Sequence, residues 1–148
     1  MNHKNNNFIC IGAVHKDIIL IIKKNYFLNR TNPVLQKQSI GGVAYNIASK
    51  IALLNQNIEL ISLNCINDIK KEIKKRKIKF STLNKIIIDR SYTTILNNKG
   101  QMIIGLADMN AYEKNIHVLK IRCYLQKKII MDLNLSSINI QTLINKFY

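Results

Sequence analysis

The apolar positions of this chain fall into short continuous runs set between polar stretches. Phe8-Ile9-Cys10-Ile11-Gly12-Ala13-Val14 is unbroken and ends in small residues. That is the pattern of a buried parallel strand feeding a ligand-facing loop. Asp17 follows, then a second strand over Ile18–Ile22, a polar connection over 23–33 and a third extended segment over 34–40. Gly41-Gly42 ends that segment and opens an amphipathic helix, in which Ala44, Ile47, Ala48, Ile51 and Leu54 make one apolar face. Asn55 stands where a left-handed helix cap is expected. Ile58–Leu63 reads as the next strand, so that strand, helix and strand make a βαβ unit of a parallel sheet.

Further along, residues 66–77 predict a short, very basic helix. Residues 92–96 and 101–107 are β-rich segments flanking Asn97-Asn98-Lys99-Gly100, the pattern of a β-hairpin. A helix is expected over 116–126 and a core strand over 129–133. Ser136 or Ser137 can N-cap a last helix that ends near Tyr148. The first seven residues are polar and expected to fray.

The length, 148 residues, and the 47% hydrophobic content suit one domain with a sizeable core. The formal net charge is +15, from 23 Lys and Arg against 8 Asp and Glu. Such a balance usually points to nucleic acid or another anionic surface. Here the charge is nearly all lysine in a chain crowded with Ile and Asn, and these three residues share A- and T-rich codons. The arginines are only Arg30, Arg76, Arg90 and Arg122, and there is no tryptophan to stack on a base. Nucleic acid is therefore not the expected partner, and the run Lys70–Lys79 reads first as a solvated face.

Cys10, Cys65 and Cys123 are far apart and form no C-x-x-C pair. This argues against a disulfide framework or a zinc site and for a reducing, cytoplasmic setting. No apolar run is long enough to span a bilayer, so no membrane is expected. His15 and His117 have no partner at metal-ligand spacing and no metal site is expected.

The candidate chemistry centres on the glycine pair. Gly41 and Gly42 let another backbone or a ligand come close, and the first-turn N–H groups of the following helix would point at whatever sits over them. The same pattern also makes a plain tight turn. Asn46 lies one turn in, where its amide can donate and accept. Asp17 can accept from two vicinal hydroxyls or merely start a turn, Asp108 can bind or cap a loop, and Asn134 stands just past a core strand, where ligands bind in open α/β sheets.

With these pieces in order, the chain resembles the N-terminal half of the PfkB (ribokinase-like) family of sugar and nucleoside kinases, and most of all the pseudouridine kinases. Ile11-Gly12-Ala13 with Asp17 resembles the family's opening, where an aspartate binds sugar hydroxyls. Gly41-Gly42 with Asn46, Ala48 and Leu53 resembles its first signature. Ala107-Asp108-Met109 with Tyr112-Glu113, and Asp132-Leu133-Asn134-Leu135, resemble segments of the pseudouridine-kinase branch. The resemblance implies an α/β, ribokinase-like fold: a truncated three-layer sheet with a small β-strand lid built from 17–22, 34–40 and the 92–107 hairpin. It implies a substrate site at Asp17, Gly41, Gly42, Asn46, Asp108 and Asn134, with ATP and Mg as the family's cofactors.

The chain departs from that family in one large respect. The family's Gly-Ala-Gly-Asp segment supplies an anion hole and the catalytic base. No glycine follows Gly105 here, and no Gly-x-Gly-Asp occurs anywhere. The stretch after Leu63 also reads Asn64-Cys65-Ile66-Asn67-Asp68 in place of a Gly-x-Asp loop. Residues 1–148 are thus expected to form a single partial kinase domain, holding the substrate and lid half and lacking the nucleotide half, with no catalytic residue and no cofactor of its own. The strand at 129–133 would then be an unpaired edge inviting a missing-half chain or a second copy. The expected partner is a small sugar or nucleoside. Two alternatives stay open: half of a split kinase completed by a second chain, and a basic nucleic-acid-binding module using Lys70–Lys79.

Overall fold

A computed structural model describes residues 8–108, 128–132 and 134–147 of the chain. The expected helix at 116–126, His117, Cys123, the Tyr112-Glu113 pair and the polar first seven residues lie outside them.

The elements in chain order are β1 (Phe8–Ile11), β2 (His15–Ile22), β3 (Val34–Gly41), α1 (Val43–Leu53), β4 (Ile58–Ser62), α2 (Asn67–Lys75), β5 (Lys79–Thr82), β6 (Ser91–Leu96), β7 (Met102–Ala107), β8 (Lys128–Met131) and α3 (Ser137–Phe147). They form two four-stranded sheets, ordered β5-β4-β1-β8 and β3-β2-β6-β7.

The first sheet is parallel throughout. Its central strands are continuous apolar runs because both faces are covered. The two-residue period divides their side chains between two cores. Cys10, Ile58 and Leu60 pack with Ala44, Tyr45 and Ala48 of α1 and Ile69 and Ile73 of α2. Ile9, Ile11 and Ile61 pack on the other face with Leu143 and Ile140 of α3. This is a three-layer α/β arrangement. Glu59 is the exception in β4: fully buried, it is held by Lys79 Nζ at 3.0 Å and the Ser81 hydroxyl at 2.5 Å. β8 stands at the end of the sheet order, as the sequence leads one to expect of a strand at 129–133.

The second sheet is a mixed single layer. β2 pairs antiparallel with β3 and parallel with β6, and β6 pairs antiparallel with β7. The β6–β7 turn is tied by Asn97 Oδ1, which accepts the amides of Lys99 and Gln101 at 2.9 Å each.

Three details correct the sequence-based picture. β3-α1-β4 is no βαβ unit of the parallel sheet: β3 pairs with β2 in the second sheet, the lid sheet of 17–22, 34–40 and the 92–107 hairpin that the resemblance implied, and α1 returns the chain from one sheet to the other. β2 begins at His15, so Asp17 lies inside a strand and starts no turn. β5 was hidden by the lysines around it, yet it extends the parallel sheet beside β4.

The caps follow their local chemistry. Asn55 adopts φ 58° and its amide bonds to the Ala52 carbonyl at 3.0 Å, closing α1. The Ser136 hydroxyl accepts from the Asn139 amide at 3.4 Å at the start of α3. On α2, Lys71 and Lys75 are exposed and lie near Asp68 and Glu72, so part of the basic run is neutralised by its own helix. Among the described residues no helix is long and apolar enough to cross a membrane.

Candidate substrate site

The site sits where the sheet order reverses. From β1 the chain passes to β4 and β5 on one side, and β8 then pairs on the other. The crevice beyond the carboxyl ends of β1 and β8 is the switch point at which open α/β sheets take ligands.

Asp132, immediately after β8, is the hub of this crevice. It is buried. Its Oδ2 accepts the amides of Ala13 at 2.7 Å and Ala44 at 3.1 Å, and its Oδ1 accepts the amide of Asn134 at 3.0 Å. One carboxylate thus joins the loop after β1, the first turn of α1 and the loop after β8. Gly12, at φ 148°, lies directly against it, and a Cβ there would overlap the carboxylate. Gly42, at φ 104°, lies against the backbone of Ala13 and Val14. Both glycines are required by close approach and by backbone conformation together.

This arrangement corrects the expectation for the helix mouth. The first-turn amides of α1 do not all face an open site: Ala44 donates to Asp132, and Tyr45 donates to the Ala13 carbonyl at 3.3 Å. A carboxylate from the protein already occupies the position where a phosphate would meet a helix N-terminus. Gly41-Gly42 is therefore no phosphate cradle. Among the described residues no other glycine-rich turn opens a helix, so the donors present do not fit the triphosphate of ATP. No three His, Cys, Asp or Glu side chains gather as a metal set among the described residues either.

What the glycines do open is a cavity of about 310 Å³ between the two sheets, at the small end of ligand pockets. Ala13, Gly42, Val43, Asn46 and Asn134 line it from the parallel sheet's side, and His15, Tyr92 and Ala107 from the second sheet. Strand register explains the second group. Asp17 pairs with Ser39 on one side and Tyr92 on the other, and Tyr92 pairs with Ala107. Residues two apart share a face, so His15, Asp17, Tyr92 and Ala107 look the same way.

Of the sequence-predicted residues, Gly42, Asn46 and Asn134 line the cavity directly. Asp17 stands beside it, about one-third exposed, with His15 Nδ1 3.1 Å from its Oδ1. Gly41 backs Asp17, since a Cβ on Gly41 would strike that carboxylate. Asp108 lies just past Ala107 at the rim, exposed, with its amide 3.5 Å from the Ser91 carbonyl. Sequence reasoning missed Asp132, His15 and Tyr92 as parts of the site. Asp132 had a signal, a lone acid ending an apolar strand. The other two show only through register.

Two thiols are buried, Cys10 within β1 and Cys65 beyond the end of β4. Burial, helped by the nearby Asp132 charge, pushes the Cys10 thiol up to about 11. Burial pushes Cys65 up to about 11 as well, against a lowering by Lys70. Neither is activated for nucleophilic work.

A second cavity, of about 480 Å³, opens on the other face of β2 and β3, against α2, and includes Lys16, Glu72 and Arg76. It has the larger volume, but none of the candidate residues lines it.

No family model matches the chain. A pseudouridine-metabolizing bifunctional protein of Schizosaccharomyces pombe is 28% identical over 139 residues, taking in 86% of this chain and 18% of that protein. A carbohydrate kinase from Agrobacterium tumefaciens is similar in structure, with TM-score 0.63 and 22% identity over 72% of this chain and 36% of its own. A ribokinase from Cryptococcus neoformans in complex with ADP is similar with TM-score 0.71 and 12% identity, covering 97% of this chain and 46% of its own. The chain thus spans less than half the length of each.

Proposed function

From the ribokinase-like fold of this chain, and its likeness to PfkB-type kinases over roughly their first half, we propose that residues 1–148 bind the sugar part of a nucleoside or sugar and do not transfer phosphate by themselves. The likeness to a pseudouridine-metabolizing protein makes a pseudouridine-like nucleoside the ligand to test first. The single observation that carries this is the cavity between the sheets, walled by Gly42, Asn46 and Asn134 on one side and by His15 and Tyr92 on the other, with Asp17 beside it in contact with His15.

Each residue has a role that its chemistry suits. The Asp17 carboxylate accepts from vicinal hydroxyls, and one hydrogen bond to a charged acceptor contributes about 1.5–3 kcal/mol. The Asn46 and Asn134 amides both donate and accept, matching hydroxyls that do the same. Gly41 and Gly42 let the sugar approach the backbone. Asp108, next in the chain to the cavity-lining Ala107, would accept from a group that projects from the cavity.

In this family ATP and Mg supply the phosphoryl group and neutralise its charge. Among the described residues the mouth of α1 offers them no anion hole, since Asp132 fills it. The test is titration calorimetry with pseudouridine, uridine and D-ribose, beside a transfer assay with radiolabelled ATP. Binding without transfer is the expected result. Absence of binding to all three would sink the proposal, and transfer by this chain alone would sink its second part.

The split-kinase reading is favoured by one observation, the position of β8 at the sheet's end. If a second polypeptide completes the enzyme, co-expression with a chain carrying a Gly-Ala-Gly-Asp segment restores transfer. The basic-module reading has no such support, because Asp68 and Glu72 sit among the lysines of α2.

A further inference from the structure

His15 carries chemistry that the sugar-binding residues do not explain. Its Nδ1 lies 3.1 Å from Asp17 Oδ1 and 3.4 Å from the Lys16 carbonyl oxygen. A carboxylate oxygen and a carbonyl oxygen both accept, so Nδ1 is the donor in these contacts and carries the proton. In the neutral ring that choice of tautomer makes Nε2 a hydrogen-bond acceptor. The ring lines the cavity, with only about a fifth of the side chain exposed. It therefore offers the ligand an acceptor in a largely desolvated wall.

The adjacent wall is the Tyr92 ring, its centroid 6.3 Å from the imidazole and tilted by 36°. Register fixes this placement, because Tyr92 pairs with Asp17 across β2 and β6. Ala107, the next residue across the sheet, is small and leaves the ring uncovered on that side. A flat ring face beside an imidazole acceptor fits a planar heterocycle bearing an N–H. It does not fit a second sugar, whose hydroxyls would find few partners there.

We propose that His15 is a specificity-determining residue that reads a ring N–H donor on the base of a nucleoside, with Tyr92 flanking the base, while its Nδ1–H holds the Asp17 carboxylate in place for the sugar. This rests on the sugar-binding role proposed for the cavity and adds the class of group attached to that sugar. A site built to pair a donor rejects the analogue that lacks it, because its own polar atom is then buried unpaired.

The test is titration of the full chain with pseudouridine, its N1-methyl and N3-methyl derivatives, and D-ribose. The wild-type chain is expected to bind at least one methylated form about tenfold more weakly than pseudouridine, the scale of one lost hydrogen bond to a buried polar group. His15→Asn keeps an N–H that can reach toward Asp17 and withdraws the imidazole Nε2 from the cavity. It is expected to lose the discrimination and to weaken D-ribose less than His15→Phe does. His15→Phe is expected to lose the discrimination and to weaken D-ribose more, since nothing then orients Asp17. Tyr92→Leu is expected to weaken pseudouridine by a larger factor than it weakens D-ribose. Equal affinity of the wild-type chain for both methylated forms and pseudouridine overturns the inference, as does discrimination that survives in both His15 variants. If D-ribose and pseudouridine both fail to bind the wild-type chain, the sugar-binding role falls, and this inference falls with it.

Discussion

The Oδ2 atom of Asp132 accepts the amide of Ala44 at 3.1 Å, closing the first turn of α1 from a residue 88 positions further along the chain. The α1 N-cap is Gly42, which has no side chain to do this. The glycine is needed for close backbone approach, so the capping acceptor must come from elsewhere. A buried carboxylate at the end of β8 supplies it and joins both halves of the crevice.

That bond predicts a large stability cost at Asp132. Asp132→Ala removes a charged acceptor from three amides, those of Ala13, Ala44 and Asn134. The loss is expected to be about 3 kcal/mol, given the cost of orphaned buried amides. The check is the urea midpoint followed by circular dichroism. A change under about 0.5 kcal/mol would mean that water serves these amides equally well.

The glycines should rank by what surrounds them. Gly12→Ala and Gly42→Ala put a Cβ into the Asp132 carboxylate and the Ala13–Val14 backbone, at positive φ. Each is expected to cost more than about 2 kcal/mol. Gly100→Ala also sits at positive φ, but in open space, and should cost about 1 kcal/mol. Thermal or chemical unfolding of the three variants gives the order directly.

Asp17 should matter to ligand and little to fold. It is part-exposed, and its recorded polar partner is His15. Asp17→Asn is expected to weaken D-ribose binding about tenfold or more, the scale of a hydrogen bond to a charged acceptor, while shifting stability by less than about 1 kcal/mol. Equal affinity in the variant would remove Asp17 from the site.

The buried thiols set a pH dependence. Cys10 and Cys65 are raised to about 11, from an ordinary value near 9.0. In the unfolded chain they ionise first, so between those values the unfolded state binds fewer protons and stability falls as pH rises. Their contribution is complete below pH 9 and is lost toward pH 11. Replacing both with Ala should flatten that part of the stability profile. At pH 8 the folded chain should resist iodoacetamide at both positions, with a thiolate fraction about a hundredfold below that of a free thiol, and urea should release them.

Local chemistry made much of the fold legible. Continuous apolar runs marked β1 and β4, Asn55 marked the end of α1, Ser136 the start of α3, and Asn97-Asn98-Lys99-Gly100 the hairpin. β5 was missed because Phe80 is the one apolar residue within it and lysines stand around it; it is a strand through its pairing with Glu59–Ser62. Asn46, Gly42 and Asn134, which line the cavity, were legible as candidates because a helix mouth and a strand end are local features.

What the sequence alone determined is the set of elements and their faces, since period and capping depend on neighbours a few residues apart. The ribokinase-like resemblance is also carried there, in short segments in the right order. Only the tertiary structure decided that Asp132 rather than a ligand meets the α1 N-terminus, and that His15 and Tyr92 share the cavity with Asn46. Those facts rest on strand register and on contacts between residues tens of positions apart. Local physical chemistry does not reach that far; burial and pairing across the whole chain do.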